Sequence, residues 1–155
     1  MLYITYFFVI GLMVGLDQIS KNIIVSKFSL NESITVIKDF FNITYVQNFG
    51  AGFSILQNQT SIFYLISIFA LIFLGYLLYK SKKNEIINRI SYLLIIGGTL
   101  GNLYDRITHK YVIDFLDFYI FGYNFPVFNV ADMFITVGCF ILIFSILLEN
   151  KNAKD

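Results

Sequence analysis

The run SIFYLISIFALIFLGYLLY, from Ser61 to Tyr79, carries no formal charge over 19 residues. As a helix rising about 1.5 Å per residue it covers roughly 28 Å, close to the thickness of a bilayer's hydrocarbon layer. Its surroundings favour lipid. Of the chain's 155 residues, 57% are hydrophobic and only 14% are charged, too apolar a balance for an ordinary soluble domain.

Working outward, three more segments read as spans: about 2–25, about 86–104 and about 128–148. The Ser61 helix ends in Lys80, Lys82 and Lys83, and the short link beyond it holds Arg89 against Glu85. The positive-inside tendency puts that link, and the tail with Lys151 and Lys154, in the cytoplasm. Both termini are then cytoplasmic, and loops at about 26–60 and 105–127 lie outside, although Lys27, Lys38, Arg106 and Lys110 soften the asymmetry. The N-terminal run has no Lys or Arg before it and no small-x-small cleavage site, so it reads as a retained helix. The β-branched and aromatic residues of Ser33 to Ile37 and Phe41 to Val46 predict two short strands. The expected fold is an all-α membrane protein, a four transmembrane helix bundle with a small extracytoplasmic β-element, forming one domain over 1–155.

A net charge of +1 offers no basic face, which argues against nucleic acid. Cys139, the only cysteine, excludes an internal disulfide and sits among Phe, Ile and Leu where a thiol is inert. His109, the only histidine, is expected in the outer loop without the setting of a triad. Two scattered carboxylates and one remote histidine do not make a zinc site, so no metal is expected. No internal repeat of the kind that builds an inverted-repeat transporter is visible.

Against this apolar background the stretch from Gly97 to Asp132 gathers Asp105, Arg106, Asp114, Asp117 and Asp132 at the edges of apolar runs, where a charge is expensive and usually functional. Gly97 and Gly101 share a helix face that a neighbour can approach, as do Gly11 and Gly15. Asp17 and Lys21, four apart, read first as a structural ion pair. Asn102 and Arg106 can point into one cavity, and Asp105 can pair with Arg106 or with Lys21. Asn129 and Asp132 share a face, and Pro126 suits a helix start. The segment from Asn48 to Ser54 reads as a tight turn that brings an amide near a ligand.

Either Asp114 or Asp132 alone would be an ordinary capping or structural carboxylate. Together, from consecutive elements on one side of the membrane, they are a candidate catalytic pair. Two carboxylates in a low-dielectric pocket cannot both ionise, so the pair holds one proton and can act as acid and base at once. Carboxylates at this depth also serve cation or proton transport, and a bundle without activity is a third reading.

These residues resemble the successive motifs of lipoprotein signal peptidases, the signal peptidase II family of bacterial aspartyl proteases. The likeness covers Asp17 to Lys21, Asn48 to Ser54, Gly97 to Arg106, Val112 to Phe115 and Phe128 to Asp132, in that order, with Gly52 where the family more often has alanine. The resemblance implies an endopeptidase of the bacterial cytoplasmic membrane with its active site near the extracytoplasmic face. Its substrates would be prolipoproteins carrying a diacylglyceryl cysteine, met within membrane lipid and cut on the amino side of that cysteine without any cofactor. It makes Asp114 and Asp132 the catalytic dyad. Asn48, Asn102, Arg106 and Asn129 become substrate-binding residues, and Asp17, Lys21, Gly98 and Gly101 support the pocket.

Overall fold

The computed structural model describes residues 2–50, 60–82 and 84–152. Helices α1 (Leu2–Lys27), α2 (Thr60–Lys80), α3 (Ile86–His109) and α4 (Val130–Asn152) are all long and apolar enough to cross a bilayer. Helix α3 is mostly buried, and the other three pack on it. They turn Phe7, Leu65, Phe69 and Phe140 outward, a surface that suits lipid and not water.

Small residues on α3 set how closely its neighbours come. A Cβ on Gly98 would collide with the Ala131 carbonyl and Ile135, and one on Gly101 would lie 2.6 Å from the Asp17 carboxylate. Gly11 and Gly15 behave otherwise: nothing described stands within 4 Å of where their Cβ would be. The face of α1 turned to α3 is that of Met13, Asp17 and Lys21, and Gly11 and Gly15 fall about 200° round from Met13. Gly98→Ala is therefore expected to destabilise the fold by about 1–3 kcal/mol through overpacking. Gly11→Ala should stay within about 0.5 kcal/mol, and thermal unfolding in detergent compares the two.

Strands β1 (Ser33–Ile37), β2 (Phe41–Asn48), β3 (Val112–Ile120) and β4 (Tyr123–Asn124) form an antiparallel sheet in that order. Strand β3 occupies what the sequence suggested was a connecting loop. Its first half is buried on both faces, so VIDFLDFYI lacks the polar alternation that marks a half-exposed strand. Ile113 and Phe115 of β3 join Ile24 of α1 and Tyr45 of β2 in a core that fixes the sheet to the end of α1.

Two helix ends also differ from expectation. Helix α3 continues past Tyr104 to His109, closing on Lys110 with φ 71° and a bond from the Lys110 N–H to the Arg106 carbonyl. Asp105 and Arg106 thus lie within the helix, and exposed His109 ends it, stacked on Tyr111, instead of sitting in a loop. Helix α4 starts at Val130, not near Phe128, because Phe128 is still paired with β3. Its carbonyl accepts the N–H groups of Phe115 and Leu116 at 3.0 and 2.8 Å, and its own N–H reaches the Leu116 carbonyl at 3.1 Å. The turn expected over Asn48 to Ser54 is described only to Gly50, whose N–H bonds to Asn48 Oδ1 at 2.9 Å; Gly52, Ser54, Lys83 and Lys154 lie outside the described residues.

Candidate active site

Helix α4 begins with a reciprocal cap. The Asp132 N–H donates to Asn129 Oδ1 at 2.9 Å, and the Asn129 N–H donates to Asp132 Oδ2 at 3.2 Å. This Asn-x-x-Asp arrangement satisfies two of the helix's free donors and holds a carboxylate at the positive end of the helix dipole. The second oxygen, Oδ1, accepts the Asn102 amide from α3 at 2.7 Å.

Asp114 reaches the same place from β3. Its Oδ1 accepts Asn129 Nδ2 at 2.7 Å and its Oδ2 accepts Asn48 Nδ2, from the paired strand β2, at 2.8 Å. Asn129 thus addresses both acids, one through its side chain and one through its backbone. Burial, reinforced by the neighbouring Asp132 carboxylate, lifts Asp114 from its ordinary 3.8 to about 7, against the opposing pull of the Asn48 and Asn129 amides.

Behind the acids lies a second buried network. Lys21 Nζ bonds Asp17 Oδ2 at 2.7 Å, Asp105 Oδ2 at 2.8 Å and Asn102 Oδ1 at 3.1 Å, which uses all three ammonium protons. Asp105 therefore takes Lys21, and not its neighbour Arg106, as its salt-bridge partner. Asp17 Oδ1 also accepts the Ala131 N–H at 3.0 Å, tying α1 to the first turn of α4. Asn102 Oδ1 is held by Lys21 and by Asn129 Nδ2, the latter at 3.0 Å, so its amide nitrogen is turned to Asp132.

Both acids line a cavity of about 710 Å³ with Asn48, Asn102 and Arg106 on its wall and Phe63, Ile66, Met133 and Val137 along its apolar side. Arg106 makes only long bonds there, at 3.4 Å to the Asn102 and Gly50 carbonyls, and its guanidinium lies 4.9 Å from the centre of the Phe63 ring. Among the described residues most of its donors have no partner and are left for a ligand.

The structure brings together the candidate site residues read from the sequence, with Gly98 and Gly101 at the helix contacts behind them, but Asn129, expected to bind substrate, is fully buried behind the two acids and does not line the cavity. Three contributors were not singled out. Gln18 Nε2 bonds Asp105 Oδ1 at 2.8 Å, the Tyr64 hydroxyl donates to the Arg106 carbonyl, and Phe63 carries the guanidinium. Gln18 had one signal, a polar residue between Asp17 and Lys21; Phe63 and Tyr64 sit in the uncharged run of α2 and had none. Asp117 takes no part, accepting the Thr44 hydroxyl at 2.6 Å within the sheet. Among the described residues no cluster of three His, Cys, Asp or Glu side chains could hold a metal ion.

A model of the signal peptidase II family matches residues 9–148, which includes every residue of this site. The chain belongs to the signal peptidase II family. A lipoprotein signal peptidase of Photorhabdus laumondii subsp. laumondii is 41% identical over 145 residues, covering 90% of this chain and 86% of that protein. A solved bacterial membrane enzyme is 36% identical with a TM-score of 0.89, over 96% of this chain and 90% of its own. A second, also 36% identical, has a TM-score of 0.83 over 92% of each chain. Membership in the signal peptidase II family implies a protease, and the four spans agree with a multi-pass bacterial membrane protein.

Proposed function

We propose that the chain is an intramembrane aspartyl endopeptidase. It removes the signal peptide from diacylglyceryl-modified prolipoproteins, cutting on the amino side of the lipid-modified cysteine. The observation that carries the reading is the bridging of Asp114 and Asp132 by Asn129 on the wall of a cavity that also holds Arg106. With one proton between them, Asp132 accepts a proton from water as its oxygen attacks the scissile carbonyl, while Asp114 donates to the developing oxyanion. As the tetrahedral carbon collapses, the carbon–nitrogen bond breaks, the amine leaves with the proton taken from water, and Asp114 recovers its own. No cofactor enters these steps.

Asn102, Asn129 and Asn48 hold the acids in register, and Arg106, most of whose donors have no partner among the described residues, positions the substrate backbone. A substrate already confined to the bilayer can enter along the cavity's apolar side. Lys80 at the end of α2, Lys82 in the link and Arg89 in the first turn of α3 lie at one end of α3, whereas the acids gather near its other end. In a four-helix transmembrane bundle with cytoplasmic termini this supports an extracytoplasmic position for the site and the sheet beside it.

Purified protein mixed with a diacylglyceryl-modified precursor is the test. Cleavage ahead of the modified cysteine is expected, and failure to cut such a precursor overturns the proposal. Arg106→Ala should raise KM by roughly 10–100-fold, the worth of a charged hydrogen bond of about 1.5–3 kcal/mol, while leaving measurable kcat. Complete loss of kcat at unchanged substrate affinity would contradict a positioning role.

The activity should fall at both pH extremes. Acid protonates both carboxylates and removes the base; alkali removes the shared proton, and with Asp114 near 7 that limb begins around neutrality. Between 3.8 and about 7 the folded chain keeps a proton that the unfolded chain has released, so Asp114's linkage lowers stability as pH rises through that window. A flat rate profile from acid to strongly alkaline pH would count against a shared proton.

A further inference from the structure

The β3–β4 turn is built from a residue that suits neither its backbone nor water. Ile120 pairs with Tyr123, leaving Phe121 and Gly122 as a two-residue loop with φ 52° and 78°. Such a loop favours Asn-Gly or Gly-Gly, because a left-handed backbone is unfavourable for a bulky side chain. Phe121 is also fully exposed. A strained conformation on an unburied aromatic ring is a combination that a partner must offset.

A second turn lies beside it. The Tyr119 N–H donates to the Phe40 carbonyl at 2.8 Å and Phe41 pairs with Phe118, so the β1–β2 turn stands at the same end of the sheet. It exposes Ile37, Lys38 and Phe40. Ile37, Phe40, Ile120, Phe121 and Tyr123 thus form one apolar, largely aromatic tip, with Lys38 and Asp39 side by side at its edge.

We infer that this double-turn tip inserts into the headgroup zone of the bilayer that the four helices cross, anchoring the free end of the sheet. Continuity with the membrane supports lipid as the occupant. Strand β3 leaves α3 at Val112, and its nine residues extend at most about 30 Å, so the tip stays within that reach of the helix end that meets the bilayer surface. Its composition points the same way, since Ile37, Phe40, Ile120 and Phe121 are apolar and Tyr123 is of the type that collects at membrane interfaces. Lys38 is offset by the exposed Asp39 beside it, so the contact is apolar and not electrostatic. A second copy of the chain fits less well. Five apolar side chains fall far short of the roughly 20–30 residues a side that a standard protein interface uses.

The chain contains no tryptophan, so Phe121→Trp introduces a single one, which is excited selectively at the long-wavelength edge where the 11 tyrosines do not absorb. The full-length variant is reconstituted in phosphatidylethanolamine–phosphatidylglycerol vesicles, with and without phosphatidylcholine brominated high on its acyl chains. Emission shifted to the blue of free tryptophan in water, and quenched several-fold more strongly by the brominated lipid than by aqueous iodide, is expected. Phe40→Trp is an independent reporter with the same expectation, and carries the test if Phe121→Trp does not fold. Emission as in water with efficient iodide quenching overturns the inference. So does a blue shift without lipid quenching that fades as protein is diluted in lipid, which would assign the tip to a second copy.

Discussion

Asp132→Asn lowers turnover of a diacylglyceryl-modified precursor by about 10²–10⁴-fold, the range set by loss of general acid–base catalysis, while the protein still accumulates folded in the membrane. The fold is expected to survive because an asparagine oxygen can still accept the Asn129 N–H that Asp132 Oδ2 accepts now; its amide nitrogen then meets the Asn102 amide that Oδ1 accepts, so one hydrogen bond is lost. Asp114→Asn should lose as much activity, although its amide nitrogen would face a donor from Asn48 or Asn129 and one of those amides must turn. Each substitution removes the sharing itself and not half of it. The double variant should therefore be little worse than either single one, as for residues that act as a unit. Multiplicative losses would mean two carboxylates working separately. Unchanged cleavage with a loss of ion flux would instead favour the transport reading of the same acids.

Lys21→Met should be the most damaging single change to stability, at about 3–5 kcal/mol, because it strands buried charge. Lys21, Asp17 and Asp105 are all fully buried, and the ammonium is the salt-bridge partner of both acids. Methionine approximates the volume and leaves Asp17 and Asp105 facing each other without it. Adding Asp105→Asn removes one of the stranded charges and should recover part of the loss, so the two changes must be non-additive. Equilibrium unfolding in mixed micelles measures this. A loss below about 1 kcal/mol, or simple additivity, would show that the network contributes little. Activity should fall as well, since Lys21 helps hold Asn102 with its amide toward Asp132.

Much of this architecture was legible because lipid is an unforgiving solvent. Uncharged runs of the right length announce helices, and the few acids and amides that interrupt apolar sequence announce themselves by their cost. That is why Asp114, Asp132, Asn102 and Asn129 stood out before any geometry was known. Strand β3 was hidden for a related reason, since burial on both faces erased the alternation that identifies strands. Pro126 suggested a helix start, but the pairing of Phe128 with Phe115 and Leu116 holds the chain extended until the Asn129 and Asp132 cap is reached. Glycine spacing alone could not say which helix faces meet. Gly98 and Gly101 lie in a contact and Gly11 and Gly15 have none among the described residues, a difference fixed by where Met13, Asp17 and Lys21 fall on α1. The roles of Phe63 and Tyr64 depend on α2 approaching Arg106, which no local pattern encodes.

The claim on which the rest turns is that Asp114 and Asp132 hold one proton between them. Infrared difference spectroscopy of the carboxyl region, on protein in lipid-free detergent at neutral pH, addresses it most directly. The carbonyl stretch of a protonated carboxylic acid is predicted for the unmodified chain, should weaken in Asp132→Asn, where burial alone still raises Asp114, and should vanish when both acids are replaced by Asn. A spectrum without that band, or one in which it survives both substitutions, would contradict the account.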